Sequence, residues 1–197
     1  LRSKSIAAFT EEVIRCHELG LAYSVLHPGA AGESTEEDAM IRKADSLKKI
    51  VDETKGAQGK RWLENTAGQG SHVGYKFEHI RNIMDLTGSE RIGTCFDTCH
   101  AFASGYNIAT EDGFKKTWEE FDKIIGLDKL CAIHLNDSKG DLGSRLDRHE
   151  NIGIGKIGTL AFKLMMKKFP HIPKVLETDK ENNMDEVNLK LLRELAG

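Results

Sequence analysis

The chain has 197 residues, 39 % hydrophobic and 30 % charged, enough to bury the core of one globular domain. A net charge of −3 excludes a simple basic nucleic-acid coat, so a polyanionic partner would need a local basic patch or bound metal. No stretch approaches the roughly 18 apolar residues of a membrane span, and the opening LRSKSIAAFTEEV holds no signal-peptide core, so no membrane role is expected.

Residues 5–19 place Ile6, Phe9, Val13, Cys16 and Leu19 at helical spacing, with Gly20 as the stop. AYSVLH (22–27) is too short for a helix and reads as a buried strand. Residues 34–54 predict a helix capped by Ser34 with Glu37, carrying the stripe Met40, Ile41, Ala44, Leu47, Ile50 and Val51. RWLEN (61–65) is the next strand, and Phe77, Ile80, Ile83 and Met84 mark the next helix. IGTCFD (92–97) is followed by a helix on Phe114, Trp118, Phe121 and Ile125, then by LCAIHL (130–135). Ala161, Leu164 and Met165 predict a helix, KVLET (174–178) a fifth strand, and Val187, Leu189, Leu191, Leu192 and Leu195 the last helix. Strict alternation, with strands that lack polar alternation, predicts the α/β class with a parallel sheet covered on both faces.

The glycine-rich segments GAAGES, TAGQGSHVG and NIGIGKIG each follow a strand and precede a helix, where a (β/α) barrel builds its functional face. None is a dinucleotide fingerprint, since even GQGSHVG lacks the ordered GxGxxG and a later acidic partner. Four scattered cysteines, Cys16, Cys95, Cys99 and Cys131, form no disulfide framework and suggest a reducing compartment. Cys95 and Cys99 read first as small core residues, with metal ligation left open.

His27, Glu64, Asp97, His134 and Glu177 stand at or near the ends of the five strands. In a parallel barrel they converge on one mouth. Taken singly, each is most simply a structural histidine, a helix cap or a loop brace. Five together would be poorly solvated, mutually repelling charges, and a divalent cation resolves that conflict. Imidazole with carboxylate suits zinc, and manganese or iron(II) less exclusively. Asp147 and His149 lie two residues apart, so in an extended segment they face the same way and can grip a second cation. His100, from the loop after Asp97, is expected as its third ligand. His17, His72, His79 and His171 read as structural.

The stretches LHPGAAG, LENTAGQG with GYKFEHI, CFDTCHAFASGYNI, HLNDSKGDLGSRLDRHENIGIGKIG and VLET together resemble the endonuclease IV family of apurinic/apyrimidinic DNA repair enzymes. The similarity runs from about residue 1 to the end. It implies a TIM (β/α)8 barrel with three zinc ions at its C-terminal mouth. It implies His27 and Glu64 on the first zinc, and Glu64, Asp97, His134 and Glu177 on the second, with Glu64 bridging. His100, Asp147 and His149 would hold the third, and Glu64 and Glu177 would be catalytic. The implied reaction is cleavage of double-stranded DNA 5′ to an abasic site, leaving a 3′-hydroxyl and a 5′-deoxyribose phosphate. Lys139, Arg145, Arg148 and Lys156 on adjacent loops are expected to meet flanking phosphates. Asn136 and Asp137 are expected to orient ligands, and Gly153, Gly155 and Gly158 to let backbone approach a sugar-phosphate. A monomer is expected, cytoplasmic and nucleoid-associated, or nuclear in a eukaryote, with manganese as the alternative ion.

Five strands match the family's fourth to eighth, so residues 1–197 are expected to form one domain, the last five-eighths of the barrel, in a fragment of a longer protein. The first site would then lack one histidine, and the early DNA-penetrating loops would be missing. The alternatives are a naturally shortened, inactive remnant and a xylose-isomerase-like sugar isomerase or epimerase with one metal on Glu64, Asp97, His134 and Glu177. Arg61 and Trp62 stand in a run that is usually aliphatic in the family. Asp179 and Lys180 follow Glu177 where small or proline-containing sequence is common.

Overall fold

The computed structural model describes residues 2–21, 23–57 and 59–197. Ala22, the first residue of the first expected strand, lies outside the described residues. Helix α1 (Arg2–Glu18) leads to β1 (Tyr23–Leu26), α2 (Glu36–Glu53), β2 (Lys60–Glu64), α3 (Phe77–Thr87) and β3 (Ile92–Asp97). Then follow α4 (Thr98–Ser104), α5 (Glu111–Ile124), β4 (Leu130–His134), the short strands β5 (Asp137–Ser138) and β6 (His149–Glu150), α6 (Thr159–Lys168), β7 (Lys174–Val175) and α7 (Met184–Ala196). The main sheet runs β1-β2-β3-β4-β7, all parallel, and forms an incomplete TIM barrel.

Alternation along each strand divides two interiors. Leu63, Phe96 and Ile133 face the helical layer and pack with Phe77, Ile80, Trp118, Phe121 and Phe162 in the main core. Each such buried side chain contributes about 1.5–3 kcal/mol. Val25, Trp62, Cys95 and Ala132 line the concave face. The Trp62 indole stacks on Tyr23 at 3.7 Å between centroids. Room for it comes from Gly93, where an added Cβ would lie 2.5 Å from Cys131 Sγ and 3.1 Å from Trp62 Cδ1. Arg61 points the other way and is buried, donating to Thr54 Oγ1 and the Gly59 carbonyl while its Nε stays unpaired. Burial holds its pKa down to about 10.

Three local features differ from expectation. The cap of α2 is Thr35, whose Oγ1 accepts from Asp38 N at 3.0 Å, while Ser34 Oγ donates to the Ala31 carbonyl. The segment after Asp97 is the helix α4, not a loop, and Asp97 caps it. The 134–150 stretch closes an antiparallel β5–β6 pair, Asp137 opposite Glu150 and Ser138 opposite His149. Among the described residues no helix is long and apolar enough to cross a membrane.

Candidate metal centre

The C-terminal ends of β1, β2, β3 and β4 deliver His27, Glu64, Asp97 and His134 to one edge of the sheet, whereas the expected strand 174–178 is confined to β7 (Lys174–Val175) and Glu177 stands two residues beyond it. A one-residue register shift at Thr94/Cys95 sets Asp97 directly beside His134. Without this bulge Ile133 would stand there. Capping of α4 by Asp97 Oδ1, which accepts from His100 N at 2.7 Å, aims the His100 ring into the same space. The β5–β6 pair brings His149 back over it.

Glu64 turns Oε2 to His27 Nε2 at 3.1 Å and Oε1 to His134 Nδ1 at 2.9 Å. His134 Nδ1 also meets Glu177 Oε2 at 2.9 Å and lies 3.9 Å from Asp97 Oδ2. His100 Nε2 faces Asp147 Oδ1 at 3.1 Å and His149 Nε2 at 3.4 Å. Its Nδ1 lies 2.9 Å from the Asn65 carbonyl. A carbonyl can only accept, so Nδ1 carries the proton there, and Nε2 keeps the lone pair for a cation. His149 repeats the pattern, with Nδ1 3.1 Å from the Glu177 carbonyl. Among the described residues, four groups thus have donor atoms within 4.8 Å of one another: His27–Glu64–His100, Glu64–Asp97–His134–Glu177, His100–Asp147–His149 and Asp97–Cys99–His149.

The electrostatics suit a cation. Burial opposes ionisation of Glu64, but hydrogen bonds from His100, His134 and His27 outweigh it and hold the carboxyl far below the usual range. Burial opposes the imidazolium of His100, yet the Asp97 charge, Asp147 and Glu64 raise its pKa well above ordinary. His134 is likewise raised against burial, by Cys95, Glu177 and Glu64. Without metal, protons on imidazole balance the carboxylates. A divalent ion does the same with oxygen and nitrogen donors already converged. Cys99 is the poor member, since burial pushes its thiol up to about 12 and Sγ donates to the Arg148 carbonyl. His17, His72, His79 and His171 enter none of these groups.

Several orienting residues were invisible in the pattern of charges. Asn65 accepts from Asp97 N at 2.8 Å and donates to the Asp97 carbonyl at 3.0 Å. Gln69 Oε1 accepts from Asp147 N at 3.0 Å. Their only signal was their place in ENTAGQG, just after Glu64. Asn136 is aimed as expected, donating to Asp97 Oδ2 at 2.6 Å and accepting from Glu177 N at 2.8 Å. Asp137 instead receives the N–H groups of Ser138, Gly153 and Ile157 and braces that loop. Gly155 lies against it, for an added Cβ would sit 2.5 Å from Asp137 Oδ1. Of the four expected phosphate contacts, Lys139 pairs with Asp179 and Lys156 with Asp141. Arg148 donates to the Asp147 carbonyl, and Arg145 lies over the Tyr75 ring.

A family model described as "Xylose isomerase-like TIM barrel" matches residues 1–195. A "Probable endonuclease 4" of Geotalea daltonii is 48 % identical over 201 residues, covering 100 % of this chain and 70 % of that protein. The chain belongs to the endonuclease IV family. Its Aquifex aeolicus relative, also "Probable endonuclease 4", is 43 % identical over 99 % of this chain and 70 % of its own length. Among solved structures, endonuclease IV from Thermus thermophilus matches with TM-score 0.84 and 32 % identity, over 98 % of this chain and 68 % of that one. A D-tagatose 3-epimerase-like protein, at TM-score 0.78 and 20 % identity over 98 % of this chain and 69 % of its own, shares the barrel fold alone. Endonuclease IV membership makes this an enzyme of the nuclease branch of that fold.

Proposed function

We propose that this chain carries the metal-binding face of a DNA repair endonuclease that hydrolyses the phosphodiester 5′ to an abasic site in double-stranded DNA. The products are a 3′-hydroxyl and a 5′-deoxyribose phosphate. The chain acts as one domain, the last five units of an eight-unit barrel, as a monomer on nucleoid DNA. The observation that carries this reading is the His100–Asp147–His149 group beside Glu64–Asp97–His134–Glu177, because a one-metal sugar isomerase has no use for it.

His27 and Glu64 would hold a first zinc, Glu64, Asp97, His134 and Glu177 a second, and His100, Asp147 and His149 a third. Manganese fits the same donors. Zinc in such sites lowers the pKa of water to roughly 7 and relieves charge on phosphoryl and leaving oxygens. Glu64 can serve two groups because its oxygens diverge, one to His27 and one to His134. Asp97 is fully buried, with Oδ2 held by Asn136 and lying 3.9 Å from His134 and 3.8 Å from His149, so it faces the cation rather than DNA. The Glu177 side chain is 43 % exposed and tethered at Oε2 by His134, so it is the carboxylate that can orient the attacking water. Arg145 and Arg148 at the rim bind backbone phosphates.

Metal content of the purified chain and its action on an abasic duplex test this together. Two or three ions per chain is the expected result, with incision 5′ to the lesion impaired relative to a complete endonuclease IV. One ion per chain with no incision would favour the isomerase.

A further inference from the structure

Arg145 differs from the other cations of the mouth. It takes φ of 55°, a conformation that non-glycine residues rarely adopt. Two backbone bonds to α4 hold it there: Gly143 N donates to the Phe102 carbonyl at 3.1 Å, and Arg145 N to the Ala103 carbonyl at 2.8 Å. Its guanidinium carbon lies 4.5 Å from the Tyr75 ring centroid. Among the described residues this guanidinium has neither a side-chain hydrogen bond nor a carboxylate partner. Its donors remain open two residues before Asp147.

The platform beneath it is fixed from three sides. Tyr75 is buried, and its hydroxyl donates to Glu36 Oε1 at 2.8 Å. Glu36 Oε2 also meets His79 Nε2 at 3.5 Å, and the His79 ring stands edge-on to Tyr75 at 4.9 Å. Behind the ring is Gly68, where an added Cβ would fall 2.9 Å from Tyr75 Cβ and Cγ. A ring locked this way can carry a cation above it without moving.

We infer that Tyr75 is a positioning residue that presets Arg145 as a clamp for one backbone phosphate of the bound duplex, with Glu36 anchoring the ring. Planar guanidinium with its hydrogen-bonding edge free is the geometry for bidentate phosphate binding. Holding it on a fixed ring spares the ordering of a flexible side chain when DNA arrives. This inference rests on the DNA reading above.

The test is a double-substitution cycle in the zinc-loaded full chain, read as the affinity for a duplex with a tetrahydrofuran abasic analogue across a salt series. Arg145→Gln should weaken binding several-fold and lower the slope of log affinity against log salt by about 0.9. Tyr75→Leu should weaken binding roughly three-fold in the parent background and have no effect in the Arg145→Gln background. In an Arg148→Gln background its three-fold effect should persist, so the loss seen with Arg145→Gln is specific to Arg145 and not shared by any rim cation. Tyr75→Phe keeps the ring and should lose less than Tyr75→Leu, and this milder variant preserves the test if Tyr75→Leu unfolds. A Tyr75 effect of equal size with and without Arg145, or none at all, overturns the clamp while leaving the DNA reading intact. A parent chain that binds no duplex overturns the DNA reading, and the clamp with it.

Discussion

Asp97 commits Oδ1 to the first turn of α4 and leaves Oδ2 between His134 and His149, 3.9 Å and 3.8 Å away. Asn136 holds Oδ2 in place and also fixes the Glu177 backbone. Asn136→Ala should therefore cut metal affinity about 10–100-fold without touching a candidate ligand, as read by competition with a chelator. An unchanged affinity would mean that Asn136 braces the fold alone. The charges set a pH signature for the chelator-treated chain. His100 and His134 are raised, so their stabilisation is full below about pH 6.5 and is lost as pH climbs through their folded values. Glu64, Asp147 and Glu177 are lowered, so theirs is present above about pH 4 and lost as pH falls through their folded values. The urea midpoint should peak between about pH 4.5 and 6.5 and decline towards pH 9. A midpoint that rises through this alkaline range would contradict the charge balance described.

At the scale of elements, the five strands were legible because buried parallel strands are short unbroken apolar runs. The helices were legible through their apolar stripes. What escaped was set by tertiary packing or by one residue doing two jobs. Helix α4 spans seven residues, too few for a clear stripe, and its cap is the residue that ends β3. The Thr94/Cys95 register shift depends on how β3 settles beside β4. The strand-end groups were readable as a set from their recurrence, whereas Asn65 and Gln69 act through amide contacts that leave no charge pattern. Local chemistry was misjudged by one position at α2, where Thr35 rather than Ser34 caps. Thr35→Ala should cost about 1 kcal/mol. Ser34→Ala should cost about half of that or less. Equal losses in thermal melts of the two variants would argue against the Thr35 cap.

For the molecule as a whole, β1 and β7 are the outer strands of the five-stranded sheet among the described residues, and Tyr23 and Val175 on them are exposed. The candidate metal groups draw side chains from the ends of β1, β2, β3 and β4, from the segment after β7, and from α4 and β6. Metal should thus act as a cross-link. At free zinc 100-fold above its dissociation constant, linkage adds about 2.7 kcal/mol, a rise of roughly 5–10 °C in melting temperature for a chain of this size. Differential scanning calorimetry with and without chelator measures it, and coincident melts would sink the metal centre.

The notch at Gly93 gives the protein an optical gauge of its candidate metal face. Of the two indoles, Trp118 is packed among aromatic rings of the helical layer, on the opposite face of β3 from Cys95. Trp62 lies flat on Tyr23 one pleat below Glu64, with Cys95 and Ala132 as neighbours. Trp62 is thus the indole on the same face of the sheet as Glu64, two residues along β2. In a Trp118→Phe background, emission should shift as zinc is titrated in and return when a chelator removes it. The fluorescence of a single residue would then follow loading of the site in real time, with no substrate present.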